Sequence, residues 1–385
     1  MDLERFRTSP SGRLARAGQE PGVYWAFVPH ALPPPLSLDP PMVRLLSDAD
    51  RALGELAGLA RTIPNPSLLI PPFLRREAVM SSRIEGTRAG LADLYAYEAG
   101  LPASPPSDVR EVHNYVRALE YGLEQIRTLP ASLRLLRELH EHLMDGVRGE
   151  QATPGEFRRS QNWIGPPGCT LNQAHFVPPP VPEMTEALDA FEKYLHADDI
   201  HPPLVRLALI HYQFEAIHPF LDGNGRIGRL LISLLLAHWN LLPLPLLYLS
   251  AFFERNRQQY YDLLLAVSER GAWPDWVSYF LRGVLAQSAD AIGRAKRLQD
   301  LLTDWRSRLI RARVSAMTLQ LADLLFQYPI LTVQQAADVL GASYNAAKKT
   351  FGKLVEAGIL QELEGSIRPK AFLANEIQEI VESEM

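Results

Sequence analysis

The chain has 385 residues, of which 47% are hydrophobic and 22% charged, and a formal net charge of −5. This composition fits a globular protein of two or three domains and excludes an overall basicity that would recruit nucleic acid. One cysteine, Cys169, excludes an intramolecular disulfide and fits a reducing compartment.

The N-terminal MDLERFRTSPSGR is charged, lacks an apolar core and is not read as a secretory signal, so the expected location is the cytoplasm. Residues 1–40 read as irregular, with ALPPPLSLDPPM extended. Periodicity predicts a helix over Val43–Thr62, with Ser47 as its cap and Asp48 and Asp50 in the first turn. A second helix is expected from Pro72 to Ser82 or beyond, running into SSRIEG at Ser81–Gly86. The proline-rich LPASPPSDVR at 101–110 marks a domain boundary. VREVHNYVRALEYGLEQI and LRLLRELHEHLMDGV follow as amphipathic helices. His113, His140 and His142 lie on them without metal-ligand spacing and are assigned to surface or packing. Gly155–Pro180 reads as a β-hairpin or extended flap, with strand-like pieces at Trp163–Ile164 and His175–Val177 and a turn at Gly165–Gly168. Cys169 in that loop has no neighbour that would activate it. VPEMTEALDAFEKYLHA is a helix ending near Asp198.

The densest chemistry lies at His218–Arg229, HPFLDGNGRIGR, between the apolar segments Val205–Ile217 and Arg229–Trp239. Pro219 disfavours helix at His218, so the first helix ends there. Gly223 and Gly225 allow a tight turn into the second helix, whose first N–H groups have no helical partner and suit an anion. Arg226 and Arg229 share one face of that first turn, and two guanidiniums beside unpaired N–H groups call for a polyphosphate. Asp222 is a hard oxygen ligand suited to a phosphate-bridging Mg²⁺, and His218 can take a proton from an incoming hydroxyl.

Leu230–Phe253 has no charged residue and is long enough to cross a bilayer. His238, Asn240, Pro243 and Pro245 interrupt it, so a core helix, a turn and a second short element are expected instead. A helix containing Tyr260 and Tyr261 follows, then a long helix from WPDWV onward. The last stretch differs in character. It predicts a helix stopped by Pro329, a second with Thr332 as cap and Gly341 as stop, a third over SYNAAKKTFGKLVEAGIL, and a two-stranded wing in QELEGSIRPKAFLA. Lys348, Lys349 and Lys353 on the third helix and Arg368 and Lys370 in the wing could meet DNA phosphates. Glu356, Glu362 and Glu364 sit beside them, which leaves packing or homodimer contact equally open.

The segment HPFLDGNGRIGR resembles the Fic family signature, HPFx[D/E]GNGRxxR, at every specified position. The resemblance implies a mainly α fold, a Fic-type helical core with a β-hairpin flap, joined to a C-terminal winged helix-turn-helix. The expected divisions are 1–105, an N-terminal helical region; 106–285, the core; 286–314, a linking helix; and 315–385, the winged helix. The implied activity is transfer of AMP from ATP to Ser, Thr or Tyr hydroxyls of a protein, the chain itself among the candidates. His218 would be the base, Asp222 the Mg²⁺ ligand, and Gly223, Asn224, Gly225, Arg226 and Arg229 the phosphate contacts. SSRIEG is similar to the family's inhibitory [S/T]xxxE[G/N] motif through Ser81, Glu85 and Gly86. That implies a Glu85 carboxylate pairing with Arg229 where the γ-phosphate should lie. The flap would hold a target by strand addition. Tyr260 and Tyr261 match a pair placed near adenine, while Ser268 stands where some relatives have a nucleotide-contacting asparagine. A DNA-binding regulator with a nucleotide-sensing domain, or removal of AMP, are the alternative functions.

Overall fold

The structure, a computed structural model, describes residues 1–20, 22–102, 106–147, 153–166, 168–363 and 370–383. The chain opens with helix α1 (Leu3–Arg7) and an antiparallel hairpin, β1 (Gly12–Ala17) with β2 (Tyr24–Pro29), in register from Gly12–Pro29 to Ala17–Tyr24. Regular elements therefore occupy much of the first 29 residues, which were expected to be irregular, while 30–39 carry no helix or strand, as expected of the proline-dense stretch. The aromatic, β-branched YWAFV has strand propensity, and its stabilising partner is distant: Phe27 N donates to Val177 O at 2.8 Å. Helix α2 (Pro40–Thr62) also begins earlier than the expected cap at Ser47. Asp39 caps it, accepting from Met42 N at 2.9 Å, and the following prolines fill a first turn whose N–H groups are not needed. Helix α3 (Pro66–Ile84) starts at Pro66 rather than Pro72 and carries Pro71 and Pro72 inside it.

Helices α4 (Leu91–Glu98), α5 (Pro106–Gln125), α6 (Leu133–Leu143) and α7 (Val181–His196) lead to the central pair, α8 (Pro203–Ile217) and α9 (Asn224–His238). Both central helices are buried on nearly every face, as expected of helices apolar all round. Burial fixes their axes, so the loop between them is held rigidly at both ends. The uncharged stretch after Arg229 divides as its breaks suggested, into the rest of α9, a turn, and α10 (Ser250–Arg255). No helix among the described residues is long and apolar enough to cross a membrane. Helix α11 (Arg257–Arg270) precedes α12 (Trp273–Arg311), which packs along α2 and donates from Trp276 Nε1 to Ala208 O of α8 at 2.8 Å. α12 crosses residue 285 without a break, so the expected linking helix is the far half of a core helix.

The flap is thinner than a hairpin. Among the described residues Ile164 and Phe176 form one antiparallel bridge, and a 3₁₀ turn occupies Leu171–Gln173. Phe176 packs against Phe6 and Phe27, so the N-terminal hairpin backs the flap.

The C-terminal stretch contains α13 (Ala316–Leu324), β3 (Ile330–Thr332), α14 (Val333–Leu340), α15 (Tyr344–Glu356), β4 (Gln361–Glu362), β5 (Ala371–Leu373) and α16 (Asn375–Glu382). Its antiparallel sheet has the order β3-β5-β4. Thr332 caps α14 by accepting from Gln335 N, and Gly341 ends it at φ 60°, as the sequence indicated. Glu364 and Arg368 lie outside the described residues. Lys370 pairs with Glu362 at 2.6 Å, while Lys348 and Lys349 are exposed. This unit does not stand apart, because one apolar cluster runs from Phe6 to Val381. Arg294 of α12 donates to the carbonyls of Ile380, Val381 and Ser383, and α16 packs on α3 and α4.

Candidate functional site

The loop between α8 and α9 is built by its own backbone. His218 ends α8 in the left-handed region, φ 50° and ψ 61°, and Gly223 caps α9 at φ 77°. A histidine there carries strain that the surroundings must hold. The Asn224 side chain spans the turn, accepting from Phe220 N and donating to Phe220 O, both at 2.8 Å. Phe220 is fully buried and stacks on the His140 ring with centroids 3.9 Å apart. Gly155 N donates to His140 Nδ1, so His140 Nε2–H donates to Asp222 O at 3.1 Å. Burial lowers His140 to about 4 and keeps it neutral.

Two groups near the flap fix His218. Arg158, itself buried, donates to His218 O at 3.0 Å, to Ser160 O and to Pro179 O. Asn162 donates to Phe220 O at 2.7 Å. The His218 ring stands 3.2 Å from Glu215 O through Nδ1. A carbonyl only accepts, so Nδ1 carries the hydrogen and Nε2 is left basic. Burial lowers the ring to about 4, so it is neutral at physiological pH.

The other end of the site is cationic. Arg229, 2% exposed, donates from Nε to Ser81 Oγ and from Nη2 to Ser81 O, both at 2.9 Å, and from Nη2 to Glu85 Oε1 at 2.7 Å. Glu85 sits at the C-terminus of α3 and is 35% exposed. Burial works to raise its carboxyl, but the Arg229 charge and hydrogen bond, with Arg226 and His218 nearby, hold it below the usual range. A Cβ on Gly225 would lie 2.4 Å from Glu85 Oε1, so the carboxylate rests directly on the first turn of α9. Only glycine leaves that space. Arg226, 5% exposed, lies 3.5 Å from Glu111 and 3.6 Å from Asp222, and its Nε and Nη1 have no hydrogen-bond partner. The N–H groups of Asn224, Gly225 and Arg226 open the helix and have no acceptor within it.

Two further acids and two tyrosines shape the floor. Burial pushes Glu215 up to about 8 and Glu77 up to about 7, against the pull of Arg229 on each. Glu77 on α3 accepts from Tyr115 and Ser250 hydroxyls, which ties α3 to α5 and α10. Tyr260 is buried and shares a 2.8 Å hydrogen bond with His211 Nε2 inside an aromatic cluster with Phe253 and Trp276. Its neighbour Tyr261 is half-exposed and donates to Ile84 O at 3.3 Å, beside Glu85. Ser268 is buried against Tyr212 and offers no group to a ligand.

The structure thus brings together His218, Asp222, Gly223, Gly225, Arg226, Arg229 and Glu85. Asn224 belongs to the site by its backbone, since its side chain is committed to Phe220. Tyr260 supports the floor from within the core. Asp222 is 54% exposed, and its Oδ1 accepts from Gly223 N at 2.6 Å. Among the described residues no group of three His, Cys, Asp or Glu could hold a metal by itself. One exposed carboxylate does fit Mg²⁺ that arrives with phosphates and keeps its waters. Sequence reasoning missed Arg158, Asn162 and Glu215, and it assigned His140 to surface or packing without identifying Phe220 as its partner. Arg158, Asn162 and His140 act on residues 58 to 82 positions away, where no local pattern marks them. Glu215 acts on His218 only three positions on, through a backbone carbonyl that its side chain does not advertise.

Residues 43–124 match the model of the Fic/DOC family N-terminal region, and residues 130–236 match that of the Fic/DOC family. The chain is similar to the protein adenylyltransferase Fic of Drosophila grimshawi, 30% identical over 164 residues, which is 41% of this chain and 30% of that protein. It is also similar to the protein of the same name from Culex quinquefasciatus, 28% identical over 194 residues, 48% of this chain and 35% of that one. The chain spans about a third of the length of these curated relatives. Its fold is similar to a Fic family protein from Desulfovibrio desulfuricans, with a TM-score of 0.57 and 21% identity over 89% of this chain and 98% of the other. It is also similar to residues 134–508 of Fic-1 from C. elegans, with a TM-score of 0.51 and 20% identity over 67% and 74%. At these identities the likeness is one of fold.

Proposed function

The chain belongs to the Fic/DOC family, and from that premise we propose that it is an autoinhibited protein adenylyltransferase. It would transfer AMP from ATP to a Ser, Thr or Tyr hydroxyl of a protein. The observation that carries the reading is the seat of Glu85: a carboxylate on the first turn of α9, 2.7 Å from a buried arginine, in a place suited to a phosphate.

In the proposed reaction the target hydroxyl attacks the α-phosphorus, its proton passes to His218 Nε2, and the bond to the β-phosphate breaks to release pyrophosphate. The neutral ring and the Nδ1–H donated to Glu215 O support His218 as base. The first N–H groups of α9 and the free donors of Arg226 would hold phosphate oxygens, and Arg229 would take the γ-phosphate once Glu85 leaves. Asp222 would hold Mg²⁺, which when bound neutralises charge on the departing pyrophosphate. The bridge at Ile164–Phe176 follows Asn162, which donates to His218 O at 3.4 Å, and offers an extended backbone onto which a target segment could add.

Replacing Glu85 by glycine tests this. Labelling of protein by ATP radiolabelled at the α-phosphate should rise about tenfold or more, the scale of one charge-assisted hydrogen bond. Labelling that stays at the wild-type level would remove the inhibitory role. No AMP adduct on any protein, by intact mass, would remove the activity.

A second reading, DNA contact through α15, rests on the exposed Lys348 and Lys349. The pairing of Lys370 with Glu362 weighs against the wing taking part. A salt-dependent gel shift lost on Lys348→Glu/Lys349→Glu tests it.

A further inference from the structure

Arg226 is held in an unusual way. A buried guanidinium ordinarily has a hydrogen-bonded counter-charge, because leaving it unpaired is costly. Here Glu111 Oε2 approaches Nη1 at 3.5 Å without the geometry of a hydrogen bond, and the Nε and Nη1 donors stay unused. Asp222, the other carboxylate nearby, is over half exposed and screened by solvent. Glu111, 16% exposed, is the less screened of the two. Arg226 is therefore neutralised chiefly by Glu111, while Nη2 leans on Met144 Sδ and the Nε and Nη1 donors have no hydrogen-bond partner.

The same Glu111 oxygen accepts a second contact, from Thr87 Oγ1 at 3.1 Å. Thr87 lies in the turn that follows Glu85 and Gly86, where Thr87 N also closes onto Ser82 O at 3.2 Å. The turn that carries Glu85 thus meets both arginines of the loop. It meets Arg229 directly, through Ser81 and Glu85, and Arg226 through Glu111.

We propose that Glu111 is a positioning residue that couples the inhibitory turn to Arg226, with the Thr87 hydroxyl as the point of attachment. The proposal rests on the adenylyltransferase reading and adds to it a second hold on the turn, independent of Glu85. For ATP to displace Glu85 the turn must give way, and the Thr87–Glu111 hydrogen bond resists that. When it breaks, Glu111 Oε2 loses its other donor and faces Arg226 alone. Occupancy of Arg229 and the setting of Arg226 then change together.

The test is ATP affinity by isothermal titration on the full chain, which requires no turnover. Thr87→Val keeps the shape and removes the hydroxyl. It should tighten ATP binding about tenfold, the size of one hydrogen bond to a charged acceptor. Thr87→Ser should restore wild-type affinity. The gain should vanish in a Glu111→Ala background, where the hydroxyl has no partner, and in a Glu85→Gly background, where ATP need not move the turn. An unchanged affinity in Thr87→Val, or an equal gain with and without Glu111, overturns the coupling. If Glu85→Gly itself binds no ATP, the nucleotide reading fails and the coupling with it. If Glu85→Gly binds ATP and Thr87→Val behaves as wild type, only the coupling fails.

Discussion

Arg229 and Glu85 are 144 positions apart in the chain and 2.7 Å apart in space. Their contact closes the end of α3 onto the start of α9. Ser81 adds two further acceptors to the same guanidinium, so α3 presents three oxygens where a bound triphosphate would offer its own. An arginine satisfied in this way is a poor phosphate ligand until the helix end gives way.

His218→Ala should abolish transfer in a Glu85→Gly background while ATP affinity stays within about twofold, because the ring is assigned to the proton and not to the phosphates. The pH profile of that background carries a sign. Neutral imidazole is the active form and its pKa lies at about 4, so this group causes no loss between pH 6 and 8, and activity falls as pH drops through about 4. A limb centred near 6.5 would place the base in solvent or elsewhere.

Glu77 makes stability depend on pH. Its carboxyl titrates at about 7 in the fold against 4.5 for the unperturbed group. Between those values the unfolded chain has released the proton and the folded chain retains it, so stability falls as pH rises from about 4.5 to about 7. The loss is on the order of 3 kcal/mol. Glu77→Gln keeps an acceptor for Tyr115 and Ser250 and removes the titration. Urea melts at pH 5 and pH 8 should separate widely for wild type and little for the variant. Equal separations would show that Glu77 ionises freely in the fold.

Arg158→Ala removes donors from three carbonyls, those of His218, Ser160 and Pro179. Leaving such acceptors buried costs on the order of 2–4 kcal/mol in all. The strained backbone of His218 also loses the group that holds it. The expected result is a lower kcat in the Glu85→Gly background, beyond any change in KM for ATP. A loss in KM alone would mean that Arg158 serves the nucleotide.

Arg75 and Glu98 form a buried pair at 2.8 Å, and Gln335 of the C-terminal unit donates to Glu98 O at 3.0 Å. Arg75→Met leaves Glu98 buried without its charge partner, a change that costs on the order of 3–5 kcal/mol. Because α16 also packs on α3, hydrogen exchange should quicken in both α3 and α14 of the variant. Quickening confined to α4 would show that the C-terminal unit is held by other contacts.

The central loop was legible in the chain because its chemistry is local. Pro219 ends one helix, Gly223 permits the left-handed start of the next, and Arg226 and Arg229 fall on one face by helical spacing alone. The apolar runs on either side were long enough to read as buried helices, and Thr332 and Gly341 were legible as helix ends for the same local reason.

The N-terminal hairpin was not legible, because a two-stranded ribbon gains its stability from partners, here Val177 and Phe176, that its own residues do not encode. Asp39 was passed over as a cap because Pro40 and Pro41 also suit an extended chain, and packing of α2 along α12 decides between the two. The same holds at the site. The sequence places a histidine, an aspartate and two arginines in one turn, which is enough to specify an anion site with a base beside it. Which nitrogen of His218 is basic depends on the carbonyl of Glu215, and where that ring stands depends on Arg158. Whether Arg226 is free to bind depends on Glu111, and whether Arg229 is free depends on Ser81 and Glu85. The Glu215 contact is local, but it is made by a backbone carbonyl that residue type does not reveal. The Arg158 contact comes from the flap. The contacts to Arg226 and Arg229 run between helices, set by the burial of α3, α5 and α9 against one another, so local spacing carries no record of them.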